Sequence, residues 1–224
     1  KSNDEQTYLD HIKSVGDKNK AYISHIGLGY YNCVTPSVIQ RNLFENPGWY
    51  TQYTPYQAEI AQGRLEALIN FQTIITELTG LPIANASLLD EATAAAEAVV
   101  MCYRQQRNSK KTCLIANDCF PQTIQVVNTR AHHASINTTV IDLEALNSFD
   151  DDTFALIIQS PNRYGEDINF DSIIQKAKEK NIDIIFATDL AYLTFQTPPK
   201  NIDVAIGSSQ RFGVPMGYGG PHAA

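Results

Sequence analysis

The 224-residue sequence lacks several features that mark whole classes of protein. It has no apolar run near the ~20 residues needed to cross a bilayer, and its polar start has no apolar segment of the kind that a secretory signal carries. It also has no stripe of Lys and Arg interleaved with aromatic residues, and 24 acidic against 17 basic residues give a net charge of −7. These absences argue against membrane and nucleic-acid partners and predict a globular chain with one sizeable core.

Cysteine and histidine are scarce and lie at spacings that no metal site uses. There is no C-x-x-C pair, and the five histidines complete no zinc pattern. We therefore expect no metal, and we expect reduced, structural cysteines in a reducing compartment such as the cytoplasm or an organelle matrix. The four cysteines are Cys33, Cys102, Cys113 and Cys119.

The most informative absence is that of a lysine from the stretch "GSSQRFGVPMGYGGP", residues 207–221. It follows the apolar run "IDVAI" and looks like the turn that carries the Schiff-base lysine in many pyridoxal-phosphate enzymes. That chemistry needs a primary amine, and the stretch offers Gln210 and Arg211 instead. Neither side chain forms an imine, so the turn resembles a cofactor site without its attachment point.

Short apolar runs alternate with amphipathic segments from residue 112 onward. The runs "TCLIA", "INTTVIDL", "FALIIQS", "IDIIFATD" and "IDVAIGS" predict strands, and "PQTIQVVNTRAHHA" and "FDSIIQKAKEKN" predict helices between them. Several runs are apolar without strict alternation, which is typical of strands that helices cover on both faces. We therefore expect an α/β fold with a mostly parallel sheet.

The first 60 residues predict a looser organisation. A polar helix near the start and a short strand at "YISHIGLG" precede a helix in which Thr35 is the N-cap, Pro36 the first residue and Pro47 the end. The apolar residues that share a face of the first helix are Tyr8, Leu9 and Ile12.

Two longer helices follow. Thr54 and Pro55 predict the start of one that Gly80 caps, and an alanine run over 92–98 lies in the other. We expect an N-terminal arm and helix over 1–50 and a large domain over 51–224. The sequence stops at "GGPHAA", directly after a glycine turn, so we expect that domain to be truncated at its C-terminal end.

Two places at the predicted carboxyl edge of the sheet are candidates for ligand binding. The turn over 87–93 precedes a helix whose free N–H groups suit an anion, although Asp90 and Glu91 repel phosphate and favour an ordinary acid-capped helix start. Asp189 directly follows a strand, where it suits either a protonated pyridine nitrogen or solvent. The residues alone leave both roles of Asp189 open.

Aromatic and polar side chains cluster in "GLGYYN" and "NPGWYTQYTPYQ", which favours an interface or a substrate pocket over a simple cover of the core. "GLGYYN" differs from a dinucleotide-binding turn because Asn32 replaces the third glycine. The candidates for substrate or interface contact are Tyr30, Tyr31, Asn32, Trp49, Tyr53 and Tyr56.

Three long stretches carry a family resemblance: residues 27–81, "ANASLLDEATAAAEA" and "SSQRFGVPMGYGGPHAA". They resemble the N-terminal half of the glycine decarboxylase P-proteins of the glycine cleavage system, and the resemblance runs over 21–224. It implies the large domain of the type I, aminotransferase-like pyridoxal-phosphate fold. It also implies two homologous halves, fused or separate, that decarboxylate glycine and pass the aminomethyl group to the lipoyl arm of H-protein.

In this family only the C-terminal half carries the lysine, in a stretch "HKTF". Matching Pro215 and the following glycines places Ser209 and Gln210 where that half has its histidine and lysine, and Asp189 where the fold keeps its pyridine-nitrogen aspartate. The resemblance thus implies a degenerate cofactor site, made of Ser87, Asp189, Ser209 and Gln210.

The resemblance also implies how this chain works with its partners. It predicts no catalytic residue and no cofactor in this chain, which is inactive alone, because the C-terminal half binds the pyridoxal phosphate. The two aromatic loops then help to complete the site of that half: Tyr30, Tyr31 and Asn32 at substrate, Trp49, Tyr53 and Tyr56 at the interface. The expected compartment is the bacterial cytoplasm or the mitochondrial matrix.

Two alternatives remain. One is a pseudoenzyme of the same fold that only stabilises its partner. The other is an independent pyridoxal enzyme with its lysine elsewhere, which is disfavoured because the candidates lie on a polar helix face or in a proline-rich loop, where solvated lysine is usual. Those candidates are Lys176, Lys178, Lys180 and Lys200.

Overall fold

A five-stranded parallel sheet lies at the centre of the computed structural model, which describes residues 2–107, 109–217 and 223–224. The strands lie in the order β2-β1-β3-β4-β5. Each of the five predicted runs corresponds to one strand, so the predicted parallel sheet is confirmed. The strands are β1 (Thr112–Ala116), β2 (Asn137–Ile141), β3 (Thr153–Ser160), β4 (Asp183–Asp189) and β5 (Val204–Ser208).

The central strand explains why these runs are apolar without alternation. All eight residues of β3 are buried, since helices cover both faces of the sheet. Ile157 pairs in register with Ile115 of β1 and Ile185 of β4, and all three are fully buried. A continuous apolar strand in the middle of a parallel sheet is the arrangement expected for a doubly covered core.

Two hydrophobic clusters, one on each face, hold the helices to the sheet. Helices α5 and α6 pack on one face, where small side chains such as Ala95 and Ala96 are buried. Helix α7 packs on the other face, and the end of α4 adds Ile75 and Leu78 to that cluster. The helices are α1 (Glu5–Gly16), α2 (Ser37–Ile39), α3 (Pro47–Tyr50), α4 (Gln62–Thr79), α5 (Glu91–Gln105), α6 (Pro121–His133) and α7 (Asp171–Glu179).

The ends of the two long helices confirm two predictions and correct a third. The Oδ1 atom of Asp90 accepts the N–H of Thr93 at 2.6 Å as the N-cap of α5, and Gly80 ends α4 with φ 70°. Helix α4 begins at residue 62 and not at Thr54, so the prediction of its start was wrong. Ile60 is exposed, so no packing against the core favours a helix before residue 62.

The N-terminal region also departs from two predictions. The stretch 22–29 is not a strand, because Ile23 and Ile26 lie exposed and no described strand pairs with it. Thr35 does not cap a helix: its hydroxyl donates to the carbonyl of Gly213 at 2.7 Å, and Pro36 is the N-cap of α2, which continues as a π-helical turn over Gln40–Phe44. The helix near the start is confirmed as α1. None of the described helices has the length and apolar character of a membrane span.

Candidate functional site

Polar side chains meet at the carboxyl ends of β3, β4 and β5, as the strand order predicts for a ligand site in a parallel sheet. Asp189 ends β4, Ser208 ends β5, and Glu91 opens helix α5 beside them. They surround a small cavity of about 20 Å³. Its other lining residues are Gly29, Tyr31, Phe120, Gln159, Pro161, Thr188, Gln210 and Arg211.

Both carboxylate oxygens of Asp189 have partners within the chain. The Oδ1 atom accepts the N–H of Ala191 at 2.9 Å, and Oδ2 forms an ion pair with the guanidinium of Arg211. The side chain of Asp189 is only 14% exposed. The guanidinium carbon of Arg211 lies 5.3 Å from the centroid of the Tyr31 ring, within the range of a cation–π contact. Asp189 therefore belongs to the site and is not a solvated aspartate.

Gln210 is buried and its amide is committed to the chain itself. Its Nε2 atom donates to the carbonyl of Val214 at 2.6 Å and lies 3.6 Å from the Sγ of Cys33. The thiol of Cys33 donates to the same carbonyl at 3.0 Å. These contacts hold the segment around Cys33 against the turn that resembles a cofactor-lysine turn.

Glu91 faces the cavity with unusual electrostatics. Burial, with the negative charges of Asp189 and Asp90 nearby, raises the pKa of its carboxyl to about 8. Burial also raises the pKa of the Tyr31 hydroxyl above its ordinary value. The contact between Asp90 and the N–H of Thr93 supports the acid-capped helix start over an anion site, because it uses a donor that an anion would need.

The four residues proposed for the degenerate cofactor site do not all converge. Asp189 and Gln210 line the cavity. The backbone N–H of Ser209 donates to the carbonyl of Ala223 at 2.7 Å and its hydroxyl donates there at 2.9 Å, so Ser209 serves chain packing. Ser87 is exposed, four residues before α5 begins. The glycine turn at 219–221 lies outside the described residues.

The "GLGYYN" loop lies at the site, whereas the second aromatic loop does not. Besides Tyr31 in the cavity wall, Tyr30 lines an adjoining cavity of about 130 Å³ next to Glu91, and Asn32 is exposed. In the second loop Tyr53 and Tyr56 are exposed, with ring centroids 6.1 Å apart. Trp49 lies under the guanidinium of Arg64 at 5.5 Å.

Two contributors to the site were not found from the sequence. Gln159 accepts the N–H of Phe120 at 2.9 Å through its Oε1 atom, which holds the start of α6 to β3. Its signal was a polar amide inside an otherwise apolar strand. The sequence shows that Arg211 cannot form an imine. It gives no sign that Arg211 pairs with Asp189, which lies 22 positions earlier.

The lysines proposed for an independent pyridoxal site lie elsewhere. Lys178 pairs with Asp203, and Lys180 lies 2.9 Å from the carboxylate of Asp151. A wide groove of about 1180 Å³ includes Lys178 and Lys200, but Asp189 is not among its lining residues. Among the described residues, no group of three or more His, Cys, Asp and Glu side chains is placed to hold a metal ion.

Comparisons with known proteins identify the family of the chain. Residues 1–224 match the family model described as "Glycine cleavage system P-protein". Glycine dehydrogenase (decarboxylating) of Thermosynechococcus vestitus is 53% identical over 224 residues, which cover 98% of this chain and 23% of the relative. The mitochondrial enzyme of the same name from Flaveria anomala is 51% identical over 222 residues, or 98% of this chain and 22% of the relative.

Solved structures show the same fold. The crystal structure of an inhibitor-bound glycine decarboxylase (P-protein) matches with a TM-score of 0.90 and 30% identity, over 100% of this chain and 52% of that one. A Campylobacter jejuni O-acetylhomoserine (thiol)-lyase containing a pyridoxyl-lysine matches with a TM-score of 0.55 and 18% identity, over 62% of this chain and 35% of that one. The predicted type I pyridoxal-phosphate fold is confirmed.

This chain spans less than a quarter of the length of the two curated relatives. Their names therefore describe a larger protein, of which these residues form one part. Because the family model matches along the whole chain and more than half of the aligned residues are identical to each of these relatives, the chain belongs to the glycine cleavage system P-protein family.

Proposed function

We propose that this chain is a part of the lysine-free N-terminal half of a P-protein, and that the complete P-protein decarboxylates glycine and passes the aminomethyl group to the lipoyl arm of H-protein. The observation that carries the proposal is Gln210. It occupies the place where the other half of the family has its Schiff-base lysine, and its amide is held by the carbonyl of Val214. The reactive lysine, and with it the bound cofactor, is then supplied by the other half.

The chemistry explains why this chain needs that half. Pyridoxal phosphate supplies the electron sink that decarboxylation of an amino acid requires. Attachment of the cofactor needs a primary amine near Asp189, and no lysine is among the described residues that line the cavity there. We therefore propose that the isolated chain is inactive.

The chain's own contribution is the "GLGYYN" loop, which hydrogen bonds hold in a fixed position. The Nε2 atom of Gln122 donates to the carbonyl of Leu28 at 2.7 Å on one side of the loop. On the other side, Cys33 and Thr35 donate to the turn at 213–214. A loop held at both ends presents Asn32 outward with little conformational freedom to lose, which suits a contact in the partner's site.

The second aromatic loop fits an interface with the other half. Tyr53 and Tyr56 are 79% exposed, and exposed tyrosine rings are enriched at the centres of protein interfaces. With Trp49 they would fix how the two halves meet, while Tyr30 and Asn32 would approach substrate. The complete protein would act in the bacterial cytoplasm or in the mitochondrial matrix, the latter as the name of the Flaveria relative indicates.

One observation favours the alternative of a purely stabilising pseudoenzyme. The ring of Tyr31 packs on Arg211 inside this chain's own site, so Tyr31 has a structural role that needs no substrate. This alternative predicts that changes in the loop alter assembly and leave turnover unchanged.

Variants of the loop distinguish the two functions. In the complete natural protein, Tyr30→Phe and Asn32→Ala should each lower glycine-dependent exchange of CO2 by about tenfold or more, the scale of one lost polar contact in the transition state. Sedimentation should show unchanged assembly. Tyr22→Phe, at an exposed tyrosine outside both aromatic loops, is the matched control. Normal exchange rates together with weaker assembly would favour the pseudoenzyme.

A further inference from the structure

The cavity directly beside Asp189 is too small for pyridoxal phosphate. An adjoining cavity of about 130 Å³ shares Glu91 and Gln210 with it, but Asp189 is not among its lining residues. The cavity beside Asp189 has a volume of about 20 Å³, which is on the scale of a single water molecule. The cofactor is an aromatic ring with a phosphate group and is many times larger. Absence of a lysine removes an attachment point but does not by itself close a cavity, so other residues must fill it.

Arg211 fills the part of the site nearest Asp189. A pyridine nitrogen is held protonated by a carboxylate at a strand end, but here one oxygen of Asp189 accepts from Ala191 and the other pairs with Arg211. The guanidinium is also covered by the Tyr31 ring. The cation that Asp189 would bind in a cofactor is thus supplied by the chain, and an arginine does not lose its charge at any ordinary pH.

Glu91 fills the place that suits a phosphate. Helix α5 has 15 residues and its N-terminus points to the cavity, where free N–H groups favour an anion. Asp90 already accepts the N–H of Thr93, and the carboxyl of Glu91 lines the cavity at the first residue of the helix. The side chain of Glu91 therefore occupies space that a phosphate would need, and the N–H of Thr93 is already used by Asp90.

We propose that this chain excludes pyridoxal phosphate by filling the cofactor's place with its own side chains, with Arg211 at the ring position and Glu91 at the phosphate position. Replacement of the lysine by Gln210 is then only one of three barriers to cofactor binding, beside Arg211 and Glu91. The inference rests on the proposed function for the position of the cofactor's place and adds which side chains keep the cofactor out. Its test measures binding, whereas the loop variants above measure turnover, so the two can fail separately.

Pyridoxamine phosphate tests the proposal because it needs no lysine. The natural protein at full length is loaded with any cofactor that it binds, and additional pyridoxamine phosphate is then measured by equilibrium dialysis. We expect no additional binding to the unchanged protein and one additional molecule per chain in Glu91→Ser/Arg211→Thr, at least tenfold tighter than any residual binding. Uptake by the unchanged protein, or none by the folded double variant, would overturn the proposal.

The exposed ion pair of Glu97 and Arg130 provides a matched control on the neighbouring faces of α5 and α6. Glu97→Ser/Arg130→Thr makes the same two exchanges away from the cavity and should bind no additional pyridoxamine phosphate. Equal binding by this control would show that the exchanges act without opening the site, and the proposal would fail.

A covalent test adds Gln210→Lys, which keeps Glu91 and Arg211 and can overturn the proposal even if the double variant does not fold. Each variant is incubated with pyridoxal phosphate and reduced with borohydride, and the labelled peptides are identified by mass spectrometry. Gln210→Lys alone should show no label at position 210, whereas Glu91→Ser/Gln210→Lys/Arg211→Thr should be labelled there. Stoichiometric labelling of Gln210→Lys alone would mean that the lysine was the single barrier.

Discussion

At the scale of single residues, Glu91 connects the chemistry of the site to the stability of the fold. Its pKa of about 8 lies far above that of a solvated glutamate because of burial and the nearby Asp189 and Asp90. The folded state therefore holds a proton that the unfolded chain releases at a lower pH. Stability from this group is complete below the unfolded pKa and is lost as pH rises through about 8.

Glu91→Gln removes this titration and keeps the shape of the side chain. As pH rises from about 5 to 8, we expect the unchanged protein to lose stability relative to Glu91→Gln. The gap between their free energies of unfolding should change in favour of the variant by up to about 1 kcal/mol per pH unit. Urea unfolding at a series of pH values measures this gap. Glu97→Gln, in the exposed ion pair on the same helix, is the control. A gap for Glu91→Gln that stays constant with pH would show that the carboxyl is solvated in the folded protein.

At the scale of secondary-structure elements, the close approach of β4 and β5 depends on Gly207. Thr188 and Gly207 are paired in register, and a Cβ at position 207 would lie 2.1 Å from the carbonyl oxygen of Thr188. That oxygen belongs to the backbone, so the strands would have to separate. Because Asp189 and Ser208 follow directly, the separation would also disturb the site.

Gly207→Ala should therefore lower the free energy of unfolding by about 1–3 kcal/mol, the usual cost of overpacking a core. Gly63→Ala is the matched control, because a methyl group on that residue of α4 would meet no described atom within 4 Å. It should stabilise by about 0.5–1 kcal/mol, since alanine replaces glycine within a helix. Chemical unfolding of both variants measures whether each exchange lowers or raises the free energy of unfolding. Equal effects of both exchanges would contradict the close contact.

The sheet was predictable because its signal is local. "TCLIA" matches β1 residue for residue, "FALIIQS" is one residue shorter than β3, and the other three runs contain their strands with one or two flanking residues at an end. The three inner strands β1, β3 and β4 are buried on both faces, so their composition alone reports their environment. The stretch 22–29 has a similar apolar composition but was predicted wrongly, because a strand also needs a neighbour, and the sequence does not show whether one is present.

The site was predictable only in part, for the same reason. Asp189 and Gln210 follow strands, so their meeting at one edge of the sheet followed from the predicted topology. The ion pair between Asp189 and Arg211 and the tie from Thr35 to Gly213 depend on side-chain directions and on contacts across 22 and 178 positions. No short pattern encodes such contacts, so they required the structure.

At the scale of the whole molecule, apolar surface is distributed unevenly. The core lies between the sheet and its helices, whereas α1, α2 and α3 contain no buried residue. Even so, one face of α1 is apolar and exposed, formed by Tyr8, Leu9, Ile12 and Val15. A helix that buries nothing in its own chain but keeps an apolar stripe is suited to packing against another polypeptide.

We expect that other polypeptide to be the other half of the P-protein. Leu9→Ser/Ile12→Ser should weaken assembly of the complete protein by at least tenfold in sedimentation experiments, because it removes apolar area from the contact. The free energy of unfolding of the unassembled chain should change by less than about 0.5 kcal/mol, as for other exposed positions.

Asp10→Ser/Lys13→Ser alters the opposite, polar face of the same helix and controls for changes in helix content. It should leave assembly unchanged. If instead Leu9→Ser/Ile12→Ser lowered the unfolding free energy of the unassembled chain and left assembly intact, α1 would have to pack within its own chain. Since the two outcomes move different quantities, one pair of variants decides whether the N-terminal helix serves this half or joins it to the next.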